Sequence, residues 1–315
     1  MNTEITELEG ERKRGTIQKK PSISNASWVS CLLLLASAWF TSSIQILMPP
    51  WAFMWTVALV IFAGCKWLTW RRACRFVKSR RHDENQVDST WIRAGYLLAW
   101  VGMDAEAFLR IGRPIAKPFK AQWFSAWAKV GFGAALLWVT VRLIPADAEL
   151  LRGWIGLISL VFLLHFGLFH LLALVWQRAG VDAMPIMHAP ILATSVADFW
   201  GRRWNLAFHQ LAHEMVFRPL RRKLGVPLAA IAVFVVSGLV HESVISWPAR
   251  GGYGGPLLYF ALQALAVLSE RIWRPNGWRA RFWTVLCVAG PVGFLFHPPF
   301  INQVILPFMK VIGAF

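Results

Sequence analysis

Long apolar runs dominate the chain, broken by prolines, by clustered bases or by both. A helix that crosses a membrane needs about 20 mostly apolar residues. Runs of that kind lie near 28–48, 51–70, 122–144, 152–176, 226–247, 256–272, 280–297 and 300–315, the last being the shortest. The pattern predicts an all-α, polytopic membrane helical bundle with about eight transmembrane helices. Pro49-Pro50 closes the first two runs into a hairpin, and Ile144-Pro145-Ala146-Asp147 does the same for the next pair. The stretches 71–121 and 177–225 mix aromatics with bases. They are expected to form interfacial helices and re-entrant segments, since irregular backbone at membrane depth must be shielded by protein. Residues 1–27 are polar, with Glu4, Glu7, Glu9 and Glu11 ahead of Arg12, Lys13, Arg14, Lys19 and Lys20. No short apolar stretch with a small-residue cleavage site follows closely, so a cleaved signal peptide is not expected. The division that results is a flexible cytoplasmic tail over 1–27 and a single integral membrane domain over 28–315.

Composition sharpens this picture. Of 315 residues, 57% are hydrophobic and only 16% charged, against about 25% in a soluble domain. Yet Lys and Arg number 33 against 16 Asp and Glu, a net charge of +17. Disorder is excluded by the hydrophobicity. A soluble nucleic-acid binder is excluded by the missing polar shell. Of the 33 bases, 27 fall in the tail, in 71–121, in 177–225 and in the loop holding Arg271, Arg274, Arg279 and Arg281. All four regions lie on one side of the predicted bundle, and the other side has Arg142, Arg152 and Arg250. By the positive-inside rule the tail and both mixed stretches are cytoplasmic. Many of the 19 tryptophans sit at run ends, as in an interfacial aromatic belt. Cys31, Cys65, Cys74 and Cys287 form no pair that suggests a disulfide framework or a zinc site.

Polar groups inside apolar runs are costly and point to function. Ser237-Gly238-Leu239-Val240-His241-Glu242 interrupts the 226–247 run. Ser237 and His241, four apart, share a helix face, and an imidazole can take and return a proton near neutral pH. The alternative is an interhelical hydrogen bond that merely satisfies the ring. Asp198-Phe199-Trp200-Gly201-Arg202-Arg203-Trp204-Asn205 sets two arginines among aromatics, which suits phosphate or carboxylate groups. Membrane-edge anchoring is the competing reading, and Asp198 is a candidate helix cap. His209 and His213 are spaced to share a metal, but the order is not that of a metalloprotease, and no metal is expected. His165 and His170 do not share a face and read as core groups, and Phe296-His297-Pro298-Pro299-Phe300 reads as a turn.

The second mixed stretch resembles the wax synthase branch of the membrane-bound O-acyltransferases (MBOAT superfamily). Phe199-Trp200-Gly201-Arg202-Arg203-Trp204-Asn205 is similar to that branch's F-W-G-R-R-W-[NH] signature. In register with the F-Y-x-D-W-W-N element of the diacylglycerol and sterol acyltransferases, Phe199, Trp204 and Asn205 match. Ser237-Gly238-Leu239-Val240-His241-Glu242 resembles the branch's S-G-x-x-H-E/D element, 36 positions after Asn205. Trp100-Val101-Gly102-Met103-Asp104 is similar to W-P-G-M-D, with Val101 in place of proline, and Phe296 to Phe300 fits the C-terminal pattern. The resemblance covers roughly 95–310.

It implies an MBOAT-like fold and an acyl-CoA-dependent O-acyltransferase that esterifies a hydroxyl acceptor within the membrane. A long-chain fatty alcohol is the foremost acceptor, with a sterol or a small polar alcohol as alternatives. His241 is implied as general base and Asn205 as its helper. Substrate contacts are expected from Phe199, Trp200, Arg202, Arg203, Trp204, Ser237 and Glu242. Acyl-CoA enters as substrate, and no separate cofactor or nucleic acid is called for. Either a bacterial inner membrane or the endoplasmic reticulum fits. A proton-coupled transporter is the reading from another class, and a di-iron oxidase is a weaker third.

Overall fold

The computed structural model describes residues 47–79, 90–109, 115–273 and 275–315. The predicted tail, and all but the last two residues of the predicted 28–48 span, lie outside the described residues. Those described form helices and loops, with no strand among them. We number the main helices α1 (Pro50–Ser79), α2 (Thr90–Leu98), α3 (Lys120–Leu143), α4 (Glu149–Arg178), α5 (Leu206–Ala249), α6 (Gly255–Trp273), α7 (Gly277–Leu295) and α8 (Pro298–Val311).

Helix ends follow local chemistry. α1 starts at Pro50, whose fixed φ suits a first helical position, and the Pro49 carbonyl accepts from the Ala52 and Phe53 amides at 3.0 Å. α3 stops where Ile144 turns extended ahead of Pro145 (φ −78°, ψ 133°). Arg152 at the start of α4 then grips the Ile144 carbonyl through Nε and Nη2, at 2.9 and 2.5 Å. α5 is broken at Gly225, where φ is 79° and ψ 172°, a conformation that glycine alone adopts without strain. Its second half restarts at Val226 with Pro227 in the first turn, where a missing N–H does no harm.

Seven of the eight predicted spans fall on described residues, and there they reduce to four or five. Among the described residues, Pro50–Arg75, α3, α4 and α5 are long and apolar enough to cross a membrane. The predicted spans 280–297 and 300–315 qualify only as one bent pair, α7 and α8, which meet at 61° across His297. The predicted span 256–272 is α6, but Gln263, Glu270 and Arg271 leave it short of a spanning composition. Between 17% and 28% of the residues in the four spanning stretches are buried inside the protein, so most of their apolar surface faces outward. That surface is what lipid covers. The all-α membrane bundle predicted from the sequence stands, with four to five spans in the described part.

The main core joins α3, α4, α5, α6 and α8 through Leu137, Leu157, Phe234, Tyr259, Phe260, Ile301 and Met309. α5 and α6 approach closely at Gly238. A Cβ there would lie 2.8 Å from Leu257 Cδ1 and 3.0 Å from Leu257 Cα, so only glycine fits. A second core packs Tyr96, Trp100, Phe108 and Trp176 together. Beside it Lys66 of α1 is buried, its Nζ 3.6 Å from the Tyr96 ring and bonded to the Gly102 carbonyl at 2.5 Å. Arg142 donates to the carbonyls of Ala314 and Gly313, at 3.1 and 2.7 Å.

Candidate functional site

His241 lies in the second half of α5 and packs against Phe260 of α6, ring centroids 4.6 Å apart. Its Nδ1 is 2.7 Å from the Ser237 carbonyl oxygen. A carbonyl only accepts, so Nδ1 carries the proton. In the neutral ring Nε2 is then the basic nitrogen, and among the described residues it has no hydrogen-bond partner. The shared face of Ser237 and His241 is thus used through backbone. The Ser237 hydroxyl is turned away and donates to the Val233 carbonyl at 2.9 Å. Glu242 points off that face and accepts the Leu257 amide at 3.2 Å, tying α5 to the start of α6. Directly after His241 the helix widens into a π-turn over Glu242–Ser246, a deviation that recurs at functional sites.

The arginine motif is held by one carboxylate. Asp198 is 3% exposed and takes Arg202 Nε on one oxygen at 2.8 Å and Arg203 Nε on the other at 2.7 Å. It also accepts the Thr194 amide at 3.1 Å. Burial disfavours its charged form, but the Arg203 bond, the Thr194 amide and the two guanidinium charges outweigh burial and hold its carboxyl below the usual aspartate value. Asp198 is therefore a clamp and not the expected cap. Ser195 caps the short helix Val196–Asp198, its hydroxyl accepting the Asp198 amide at 2.8 Å. The Arg202 side chain is 77% exposed, and only its Nε is bonded, which leaves its terminal nitrogens open to an anion. A cavity of about 470 Å³ beside this motif is lined by Thr194, Asn276, Trp278 and Arg281.

The aromatic members of the motif reach inward. Trp200 packs on Phe234, Tyr259 and Phe260, and its Nε1 donates to Gln263 Oε1 at 3.1 Å. Phe260 therefore touches both Trp200 and His241, which links the motif to the histidine. Phe199 stacks on Trp204 at 5.4 Å. Asn205 adopts the left-handed conformation (φ 43°), and its side-chain oxygen faces the Phe208 amide at 3.5 Å as the cap of α5. Among the described residues no hydrogen bond joins Asn205 to His241.

One polar residue matters that motif reading passed over. Glu270 of α6, 9% exposed, accepts the Val196 and Ala197 amides at 2.7 and 3.2 Å and fixes the segment that carries the arginines. Its signal was present, as the one acid in the 256–272 run. Asp104 accepts from Gln210 at 2.6 Å and docks the Trp100–Asp104 segment on α5. His209 and His213 stack at 6.2 Å, and Glu214 beside them pairs with Arg72 and with Arg218. Lys129 lies 3.4 Å from His170 Nδ1.

The family comparison falls on this same region. The sequence model of the Membrane bound O-acyl transferase family matches residues 183–262. A "Probable long-chain-alcohol O-fatty-acyltransferase 7" of Arabidopsis thaliana is 32% identical over 142 residues, 39% of this chain and 42% of the relative. The "Long-chain-alcohol O-fatty-acyltransferase" of Simmondsia chinensis is 42% identical over 71 residues, 20% of each chain. An "Acyl-CoA--sterol O-acyltransferase 1" of Arabidopsis thaliana is 33% identical over 112 residues, 33% of this chain and 32% of the relative. The aligned region spans less than half the length of each of these relatives. The resemblance read from the motifs is borne out over 183–262, which holds the arginine clamp, Asn205 and His241: there the chain is similar to the Membrane bound O-acyl transferase family, and the proteins similar to the chain include long-chain-alcohol O-fatty-acyltransferases.

Proposed function

We propose that the protein transfers an acyl group from acyl-CoA to the hydroxyl of a long-chain alcohol inside the membrane, with His241 as general base. The observation that carries this reading is the fixed imidazole. Nδ1–H is committed to the Ser237 carbonyl, which aims an unpartnered Nε2 out of a membrane-spanning helix. An alcohol is a poor nucleophile near pH 7, and a neutral imidazole within reach can remove its proton as it attacks. The alcohol oxygen forms a bond to the thioester carbon while Nε2 takes the proton. The tetrahedral oxyanion collapses, the C–S bond breaks, and the imidazolium returns the proton to the leaving CoA thiolate. Ester and free CoA result, with no acyl-enzyme and no further cofactor. Asn205 is assigned the positioning of the acyl carbonyl, a role that asks the substrate to bridge it to His241.

Charge supports the division of the site. Arg202 and Arg203, with Arg218, Arg221, Arg222 and Lys223, lie before the Gly225 break. His241 lies about 22 Å beyond Val226 at 1.5 Å per residue. The arginines suit the CoA phosphates, and the depth suits a thioester kept from water. The basic end and the N-terminal tail are assigned to the cytoplasm, in a bacterial inner membrane or the endoplasmic reticulum. The test is acyl transfer from palmitoyl-CoA to hexadecanol, a sterol and a small polar alcohol by purified wild type and His241→Ala. We expect ester with hexadecanol foremost and at least a 10³-fold loss in the variant. Wild-type turnover by His241→Ala overturns the mechanism, and proton-coupled flux without ester in proteoliposomes overturns the activity.

A further inference from the structure

Lys129 of α3 meets His170 of α4 within the membrane-spanning stretches of both helices, Nζ 3.4 Å from Nδ1. An ammonium only donates, so Nδ1 is the acceptor and the ring proton sits on Nε2. The pair then offers donors alone, the remaining N–H groups of Lys129 and the Nε2–H of His170. None of these has an acceptor among the described residues. Nor does Lys129 have a carboxylate partner there. α3 contains no acid, and the single acid of α4, Glu149, stands at the opposite end of that helix. A charge inside a span is costly and needs a partner. The described residues supply none.

The position of the pair shows where a partner can come from. α3 has 24 residues and is about 36 Å long, against ~30 Å of hydrocarbon in a bilayer. Lys129 lies about 13.5 Å along α3 from Lys120, and His170 about 12 Å back from Arg178, the last residue of α4. These two ends belong to the basic side, with Lys117, Lys120 and Arg178, so the pair lies in the leaflet on that side. A helical side chain leans toward the N-terminus of its helix, which for Lys129 is toward the headgroups. Ser125, one turn nearer those headgroups on the same face, makes the approach polar. Deeper in, the seam is closed. A Cβ at Gly133 would lie 2.6 Å from the Leu163 amide nitrogen, and one at Gly167 would lie 3.1 Å from that of Val130. Its wall there is aromatic, half-exposed Phe132 packing on Phe162 and Phe162 on Phe166.

We propose that Lys129 and His170 bind the phosphate of an anionic phospholipid from the leaflet on the basic side, its acyl chains lying on Phe132 and Phe162. Phosphate oxygens only accept, which matches a site made of donors. Basic places between spans are where anionic headgroups settle. Phe166 carries the contact on to Trp204 of the arginine motif, ring centroids 6.1 Å apart, so the bound lipid braces the wall behind that motif. The site does not depend on the acyltransferase reading.

Photo-crosslinking tests it. Phe132→p-benzoylphenylalanine sets a probe on the seam, and Val139→p-benzoylphenylalanine sets one on the exposed side of α3 nearer its other end. Each protein is placed in dioleoylphosphatidylcholine vesicles holding about one tenth dioleoylphosphatidylglycerol, irradiated, and weighed by mass spectrometry. The probe at 132 is expected to capture phosphatidylglycerol at least fivefold above its share of the bilayer, and the probe at 139 in proportion to that share. Lys129→Gln is expected to abolish the enrichment at 132 while capture at 139 stays as it was, which shows that the variant still inserts. Lys129→Arg, which keeps the charge, is expected to retain the enrichment. Proportional capture at both positions, or enrichment that survives Lys129→Gln, overturns the site. Enrichment removed by excess inorganic phosphate, or by oleic acid at the same share of the bilayer, overturns the phospholipid as its ligand.

Discussion

Asp198 shows how one side chain can set two others. Its carboxylate sits under Arg202 and Arg203 and leaves outward-facing donors on Arg202. Asp198→Asn keeps the shape and removes the charge. We expect KM for acyl-CoA to rise about five- to tenfold with KM for alcohol unchanged. The pH dependence has a definite sign. The folded carboxyl is held below its ordinary value, so its stabilising effect is complete above the unfolded aspartate pKa of about 3.9 and is lost as pH falls through the lower folded value. The thermal midpoint of wild type should therefore exceed that of Asp198→Asn at pH 7, and the gap should close on acidification below about pH 4. A gap that persists unchanged into acid would show that the arginines do not depend on this charge.

Helix contacts turn the same chemistry into architecture. α5 and α6 touch through Gly238, Leu257 and Phe260, so Gly238→Leu has to push α6 off α5 and move Phe260 from His241. We expect kcat to fall at least tenfold while the protein still inserts. Lys66→Met leaves the Gly102 carbonyl without its donor in a buried place, at a cost of about 1–3 kcal/mol. The measurable result is a lower thermal midpoint with both KM values kept, because Lys66 bonds the Gly102 carbonyl and the Tyr96 ring and is not among the residues assigned to substrate. Much of this was legible beforehand. Predicted 122–144, 152–176 and 226–247 became Lys120–Leu143, Glu149–Arg178 and the part of α5 after Gly225, since apolar length and flanking proline or glycine fix such ends. The last two runs misled because a run of apolar residues does not reveal a bend, and Pro298 sits where one helix becomes two. At the site, His241 and the arginines were visible as costly polar groups. What they bond to was not, since sequence spacing does not tell a serine hydroxyl from its carbonyl, or a cap from a clamp.

Among the described residues the molecule has a strongly cationic end and a sparsely charged end joined by α5. By the positive-inside rule most of the +17 charge is assigned to orientation, and a part of it stands at the entrance assigned to acyl-CoA. In a chain with its four cysteines replaced, Arg221→Cys and Tyr253→Cys are expected to react with a membrane-impermeant thiol reagent from opposite faces. Reaction of both from one face would refute the crossing of α5. The spans that meet in this bundle also share a habit. α3 holds a π-turn at Leu136–Thr140, α4 at Val161–Leu168, α5 at His213–Phe217 and Glu242–Ser246, and α8 at Ile301–Ile305. A π-turn stows one residue more than an α-turn without rotating the helix on either side. Each is a place where the chain can lose a residue and keep both flanking faces in phase. The turn after His241 is one of them, so the span that carries His241 can change length by one residue there while the imidazole keeps its aim.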